Sequence, residues 1–96
     1  MMVLITYDVK TETVEGKRRL RKVAKICQNY GQRVQHSVFE CVIDMTILRK
    51  IQHQLAHVID SNVDSIRYYY LGDHWKYKVD HIGANHSFDI EGPLLF

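Results

Sequence analysis

An α+β sandwich, one layer of strands against one of helices, is what this sequence predicts, and three observations predict it. Two stretches place apolar residues every three or four positions, the period of a helix buried along one side, and four shorter stretches alternate or run apolar as strands do. These six stretches follow the order strand, helix, strand, strand, helix, strand. The third observation is size: 96 residues with 46% hydrophobic and 25% charged residues, five Gly and one Pro, make a globular chain with room for one core. A single domain over residues 1–96 is expected, with 1–72 as its core and 73–96 as a tail.

The first strand is residues 2–9. Val3, Ile5 and Tyr7 point one way and Leu4, Thr6 and Asp8 the other, with apolar character on both sides as in a central strand. Thr11, Glu12 and Thr13 then supply turn and cap chemistry, and residues 14–30 carry Leu20, Val23, Ala24, Cys27 and Tyr30 at helical spacing. Gly31 is expected to end that helix in the left-handed conformation. Residues 32–44 read as a tight hairpin of two short strands, with Arg33 and Val34 in the first, Val38, Phe39, Cys41, Val42 and Ile43 in the second, and Ser37 at the break. Thr46 is expected to cap a second helix reaching residue 60, whose core stripe is Leu48, Ile51, Leu55, Val58 and Ile59. Residues 66–71, IRYYYL, form the fourth strand and stop at Gly72 and Asp73.

That order is the ferredoxin-like βαββαβ arrangement. Two helices cover only one face of a four-stranded sheet, yet the strands carry apolar residues on both, so a second copy of the chain is the expected cover and a two-fold homodimer follows. Residues 77–82 alternate weakly and are a candidate for an extra C-terminal strand. The tail, which ends Leu94, Leu95, Phe96, is expected to pack against the domain or at the dimer interface.

The formal charge of +2 hides an uneven distribution. Residues 10–25 hold seven Lys and Arg against Glu12 and Glu15, net +5, and the rest of the chain holds six against nine, net −3. Arg18, Arg21, Lys22 and Lys25 fall on one stripe of the first helix, flanked by Lys17 and Arg19. No acid follows Glu15 in that helix, so ion pairs along it do not account for the cluster. The stripe is either a solvated helix face or a phosphate-binding one, and in the second case it grips a backbone without reading bases.

Asp8 has two readings as well: a cap that ends its strand by bonding nearby amides, or a functional carboxylate at the edge of the sheet. One carboxylate is a poor Mg²⁺ site, but a two-fold dimer brings two copies to one ion. Cys27 and Cys41, fourteen residues apart, make neither a disulfide framework nor a zinc knuckle and read as buried, reduced packing residues. His53 and His57 share a face in HQLAH, the spacing of a zinc-protease helix, but Gln54 stands where that motif needs a glutamate base, so exposed helix histidines are expected. Tyr68, Tyr69 and Tyr70 are assigned to core and interface rather than base stacking. No apolar run approaches the roughly 18 residues of a membrane span and no basic segment precedes the apolar start, which leads to the expectation of a cytoplasmic chain without a membrane partner.

Tyr7-Asp8-Val9 at the end of the first strand, Lys17-Arg18-Arg19-Leu20 in a helix closing at Tyr30-Gly31, and the run Arg33-Val34-Gln35-His36-Ser37-Val38-Phe39-Glu40 together resemble the CRISPR-associated protein 2 family, over residues 2 to about 72. The tail, with VDHIG and GPLLF, is similar to the version found in one subtype of type I systems. The resemblance implies a ferredoxin-like homodimer with its sheets face to face. It implies a phosphodiesterase dependent on Mg²⁺, with Mn²⁺ as an alternative, acting on double-stranded DNA or on RNA. It also implies a central scaffold between two dimers of the integrase, CRISPR-associated protein 1. The family's strand-end aspartate carries over to Asp8 as metal ligand and catalytic group, with Tyr7, Ser37 and Phe39 matching its neighbours. Nucleic-acid contacts fall to Lys17, Arg18, Arg19, Arg21, Lys22, Lys25 and Arg33, the choice among the helix arginines staying open. The activity expected is an endonuclease on duplex DNA without strong sequence preference. The alternatives are a non-catalytic DNA-binding scaffold and an endoribonuclease on single strands.

Overall fold

Strand β1 (Met2–Asp8) leaves the sheet into a short loop, and Thr13 then starts helix α1 (Val14–Tyr30) by accepting the Gly16 amide on Oγ1 at 2.9 Å. The structure, a computed structural model, describes residues 1–84. Gly16 is needed where it stands: a Cβ there would run into the Lys10 carbonyl oxygen and lie 3.2 Å from Thr13 Oγ1. Gly31 follows α1 with φ −155° and ψ −173°, extended backbone and not the left-handed cap expected. Glycine is required there by proximity, since a Cβ would collide with Cys41 Sγ and sit 2.6 Å from the Glu40 carbonyl oxygen.

The chain turns directly into the hairpin of β2 (Gln32–Gln35) and β3 (Val38–Val42), whose turn is His36 and Ser37, the second of them the expected break. Helix α2 (Met45–Val58) is capped by Asp44, whose Oδ1 accepts the Ile47 amide at 2.8 Å. Thr46 therefore lies inside the first turn and does not cap. The earlier start follows from the end of β3 at Val42, which leaves Asp44 in the extended conformation an N-cap needs. The helix also stops at Val58, short of residue 60, because the Asp60 amide is taken by the Asp64 carboxylate at 2.9 Å. Strand β4 (Ser65–Gly72) completes the sheet.

The sheet is antiparallel throughout, in the order β2-β3-β1-β4, so β1 lies between β3 and β4 as the ferredoxin-like arrangement demands. Val3, Ile5 and Tyr7 face the helices and join Val23, Cys27, Phe39, Cys41, Leu48, Ile51 and Leu55 in the buried core. Large apolar side chains such as Phe39, Ile5 and Leu48 each stabilise the fold by about 1.5–3 kcal/mol through burial. The opposite face carries Leu4 between Glu40 and Tyr69, Thr6 between Val38 and Arg67, and Asp8 beside Ser65. Neither helix covers it. The three tyrosines divide as strand alternation requires: Tyr68 packs on the core, Tyr70 accepts from Gln52 Nε2 of α2 at 3.3 Å, and Tyr69 accepts from Arg67 at 3.2 Å.

Beyond β4 the chain swings away at Gly72, whose φ of 76° favours glycine, into a short 3₁₀ turn at Trp75–Tyr77. The weak alternation over residues 77–82 does not become a strand, because the turn at Gly72 and the 3₁₀ turn that ends at Tyr77 take up the chain where the alternation begins. Lys78 Nζ bonds the Leu71 carbonyl at 3.0 Å and the amino group of Met1 pairs with Asp73 at 3.3 Å. The expectation for Leu94, Leu95 and Phe96 lies outside the described residues. Among the described residues no helix is long and apolar enough to cross a membrane.

Candidate active site at the end of strand β1

Asp8 closes β1 opposite Ser65, on the face of the sheet that the helices leave open, and it is exposed. Among the described residues its carboxylate has no hydrogen bond and no ion pair. It is therefore not the turn cap that one reading of the sequence allowed.

The cap is Asp64, which the sequence reading passed over. Its side chain is buried and accepts the Lys10 amide on Oδ1 at 3.0 Å, the Asp60 amide on Oδ2 at 2.9 Å, and Arg19 Nε on Oδ2 at 2.7 Å, with a longer contact of 3.5 Å to Arg19 Nη2. Burial alone would push this carboxyl up, yet the Arg19 guanidinium and the two amides together hold it below the usual carboxylate range. The network ties the exit of β1, the first half of α1 and the entry to β4 into one knot directly behind Asp8. The only hint in the sequence was an acid in the polar turn Ser61-Asn62-Val63-Asp64, and only the folded chain puts it under Arg19.

Tyr7 and Phe39 stand on the helix side of the same strand end. Phe39 is fully buried, Tyr7 nearly so, and their rings stack at 6.2 Å with planes 22° apart. Tyr7 donates its hydroxyl to the His36 carbonyl at 3.3 Å and its amide to the Ser37 carbonyl at 3.1 Å, which pins the hairpin turn beside the end of β1. Burial, reinforced by the nearby Cys27 and opposed by Arg33, raises the Tyr7 pKa. The phenol thus stays protonated and serves as a donor, not as a base. Arg33 lies over the Phe39 ring at 5.1 Å, and residues 33–38 line an open concavity along the hairpin. Of the four side chains expected at the chemistry, Asp8 is exposed, Ser37 is half-buried in the turn, and Tyr7 and Phe39 form the wall behind them.

The cations separate in the same way. Arg18, Arg21, Lys22 and Lys25 rim a groove between the helices whose apolar floor includes Ile26 and Val58, and Lys17 is exposed beside them. Arg19 is turned away from this rim into the Asp64 knot. The groove is on the helix layer, across the sheet from Asp8.

For a metal, Asp8 offers one exposed hard oxygen ligand, which suits Mg²⁺ or Mn²⁺ better than softer ions and leaves most of an octahedron to water or phosphate. No group of three or more His, Cys, Asp or Glu side chains suited to a metal occurs among the described residues. The donor chemistry fits a divalent cation shared with a second carboxylate, and not one held by a single chain.

Fold and site define a small ferredoxin-like protein that presents a bare strand-end carboxylate on an open sheet face and a band of cations on its helices. The chain belongs to the CRISPR-associated protein Cas2 family, whose model matches residues 1–79. It is 58% identical over 96 residues to a protein of Halalkalibacterium halodurans named CRISPR-associated endonuclease Cas2, covering the whole of both chains. It is 54% identical over 95 residues to a CRISPR-associated endoribonuclease Cas2 of Nitratidesulfovibrio vulgaris, 99% of this chain and 93% of that one. The crystal structure of Streptococcus pyogenes Cas2 superposes with a TM-score of 0.76 at 54% identity, covering 86% of this chain and all of the other.

Proposed function

We propose that this protein is a metal-dependent endonuclease that hydrolyses phosphodiester bonds of double-stranded DNA without strong sequence preference, working as a two-fold homodimer. The observation that carries the proposal is Asp8: an exposed carboxylate at the end of a strand, unpartnered among the described residues, where a structural aspartate would be bonded. The names of its relatives, endonuclease for one and endoribonuclease for another, support nuclease chemistry and leave DNA and RNA both open.

Two sheets meeting through Leu4, Thr6, Val38 and their neighbours would bury the uncovered faces and bring the two Asp8 carboxylates toward the dimer axis. There they would hold Mg²⁺ or Mn²⁺, which when bound activates water and polarises the scissile phosphate. Asp8 positions the cation. The Asp64 knot fixes the backbone from which Asp8 projects, and Tyr7 keeps the hairpin turn against it through the His36 carbonyl. Arg33, its guanidinium over the Phe39 ring, would hold a flanking phosphate from the hairpin, and Ser37 would offer a hydroxyl to a phosphate oxygen. Among the described residues the site shows no general base besides Asp8, so turnover is slow.

A second reading is favoured by the position of the groove. Arg18, Arg21, Lys22 and Lys25 lie on the helix layer, so they can hold a duplex without delivering it to Asp8. The protein would then be a DNA-binding scaffold between dimers of the integrase, CRISPR-associated protein 1. Cleavage of duplex DNA and of single-stranded RNA by wild type and Asp8→Ala, with Mg²⁺, Mn²⁺ or EDTA, separates the two. Activity that survives either the substitution or the chelator defeats the nuclease proposal. Spacer acquisition in cells that survives Asp8→Ala, when the isolated protein has lost its cleavage, assigns the biological role to the scaffold.

A further inference from the structure

His53 and His57 are the pair that neither the nuclease nor the scaffold reading uses. Both are exposed on α2, one helical turn apart, with ring centroids at 4.3 Å and planes inclined by 50°. Nδ1 of His57 lies 2.9 Å from the carbonyl oxygen of His53. A carbonyl oxygen only accepts, so Nδ1 carries the hydrogen, and the lone pair of the neutral ring is on Nε2, the nitrogen remote from the backbone. A metal-binding imidazole is commonly held in this way, with its other nitrogen donating to a carbonyl that fixes tautomer and orientation.

We propose that His53 and His57 form a two-imidazole chelate for a borderline transition-metal dication, Zn²⁺, Ni²⁺ or Cu²⁺, on the outer side of α2. Nitrogen ligands select these ions against Mg²⁺ and Ca²⁺, which require oxygen. With metal–nitrogen distances of about 2.0–2.1 Å, two nitrogens in a tetrahedral shell stand about 3.3 Å apart. With the His57 ring held by its carbonyl bond, rings whose centroids are already at 4.3 Å reach that spacing by rotation of the exposed His53 side chain. The spacing of four is the same one that makes paired helix histidines metal ligands in other proteins. The rest of this surface sets the limits of the site. Gln54 replaces the carboxylate that would make a hydrolytic centre, and among the described residues no third side chain joins the pair. Arg49, one turn earlier, is bonded to Gln52 Oε1 at 3.2 Å and brings a cation, not a ligand, to this stretch of the helix. The bound ion thus keeps several positions for water or for a ligand from another molecule.

Titration of the full chain with Ni²⁺ alone, followed by calorimetry and by paramagnetic broadening of backbone amide signals, tests the chelate. At this pair one ion per chain is expected, read as broadening centred on residues 53–57. His53→Ala and His57→Ala should each weaken binding by about 10²-fold, the loss expected when a chelate becomes a single contact, and the double variant should be little worse than either. Both residues are exposed, so the metal-free variants should melt as wild type does. Asp8→Ala and excess Mg²⁺ should leave Ni²⁺ binding unchanged, which keeps this site distinct from the nuclease proposal. Absence of binding, broadening centred on any of the other four histidines, or small additive losses in the single variants would each overturn it.

Discussion

Two carboxylates sit at the same end of the sheet and lead opposite lives. Asp8 pairs in register with Ser65, and Asp64 is the residue just before it, so their backbones are neighbours. Asp64 is buried with an arginine and two amides around it, and its proton affinity is lowered accordingly. Asp8 is exposed and unbonded among the described residues. A fold that needs an acid at a turn encloses it. An acid left bare beside that one, on backbone the first has made rigid, is available for something outside the chain.

The sharpest way to break this contrast is to delete each acid in turn. Asp8→Ala should reduce cleavage at least about 10²-fold, the scale seen when a group stabilising developing charge is removed, while leaving the melting temperature within a degree or two. Asp64→Ala should do the reverse in stability: two buried amides and Arg19 lose their acceptor, a cost of about 2–3 kcal/mol, and a domain of this size should melt roughly 10 °C lower or more. Circular dichroism melts beside the cleavage assay measure both. The pH dependence follows with its sign. A carboxyl lowered in the folded state stabilises the fold above its ordinary value of 3.8 and loses that contribution as pH falls through the folded value, so Asp64→Asn should flatten the acid limb of the stability curve.

A smaller effect separates Arg19 from its neighbours. Each cation that neutralises a phosphate contributes about 0.9 to the slope of log affinity against log salt for duplex DNA. Arg21→Ala and Lys22→Ala should therefore each lower the slope by about one in binding assays without metal. Arg19→Ala should leave the slope unchanged and appear as lost thermal stability, because its guanidinium is spent on Asp64. A slope that falls with Arg19→Ala would return that residue to the proposed DNA-binding band.

The smallest effect concerns Glu40, half-buried on the open face across from Leu4. Burial raises its pKa, with the nearby His81 pulling the other way. A carboxyl raised in the folded state keeps its proton longer there, so stability should fall as pH rises from the ordinary value of 4.5 through the folded one. Glu40→Gln should remove that fall, readable as melting temperatures that converge with wild type at low pH and exceed it near neutrality.

Much of this was legible in the residues. Helix α1 was read to its ends because Thr13 is a strong cap and the apolar spacing from Leu20 to Tyr30 is unbroken. Strand β1 was read face by face because Val3, Ile5 and Tyr7 alternate cleanly. What failed was information carried by contact. Gly31 could have been required by a positive φ or by a close neighbour, and only the passage of β3 beside it decides for the neighbour. Asp44 and Thr46 are both good caps, and the place where β3 stops chooses between them. The capping role was considered for Asp8 when it belongs to Asp64, because alternation assigns faces only within a strand and Asp64 lies just outside one. The stripe on α1 was right for Arg18, Arg21, Lys22 and Lys25 and incomplete for Arg19, whose partner is 45 residues away.

The two thiols have a use that their chemistry does not suggest. Cys27 on α1 and Cys41 on β3 are both free and fully buried. Desolvation pushes Cys27 up to about 12, with Cys41 adding to it, and Cys41 up to about 11, with Glu40 adding to it. A thiol that neither ionises nor meets solvent does not alkylate. One belongs to the helix layer and the other to the sheet, so a reagent reaches both only when the layers part. Iodoacetamide at neutral pH should leave the native chain unmarked and then add two labels together, at a rate set by opening of the core, which makes the pair a clock for how often the domain comes apart. Single labelling of Cys41 alone would instead time the peeling of the hairpin from beneath Gly31.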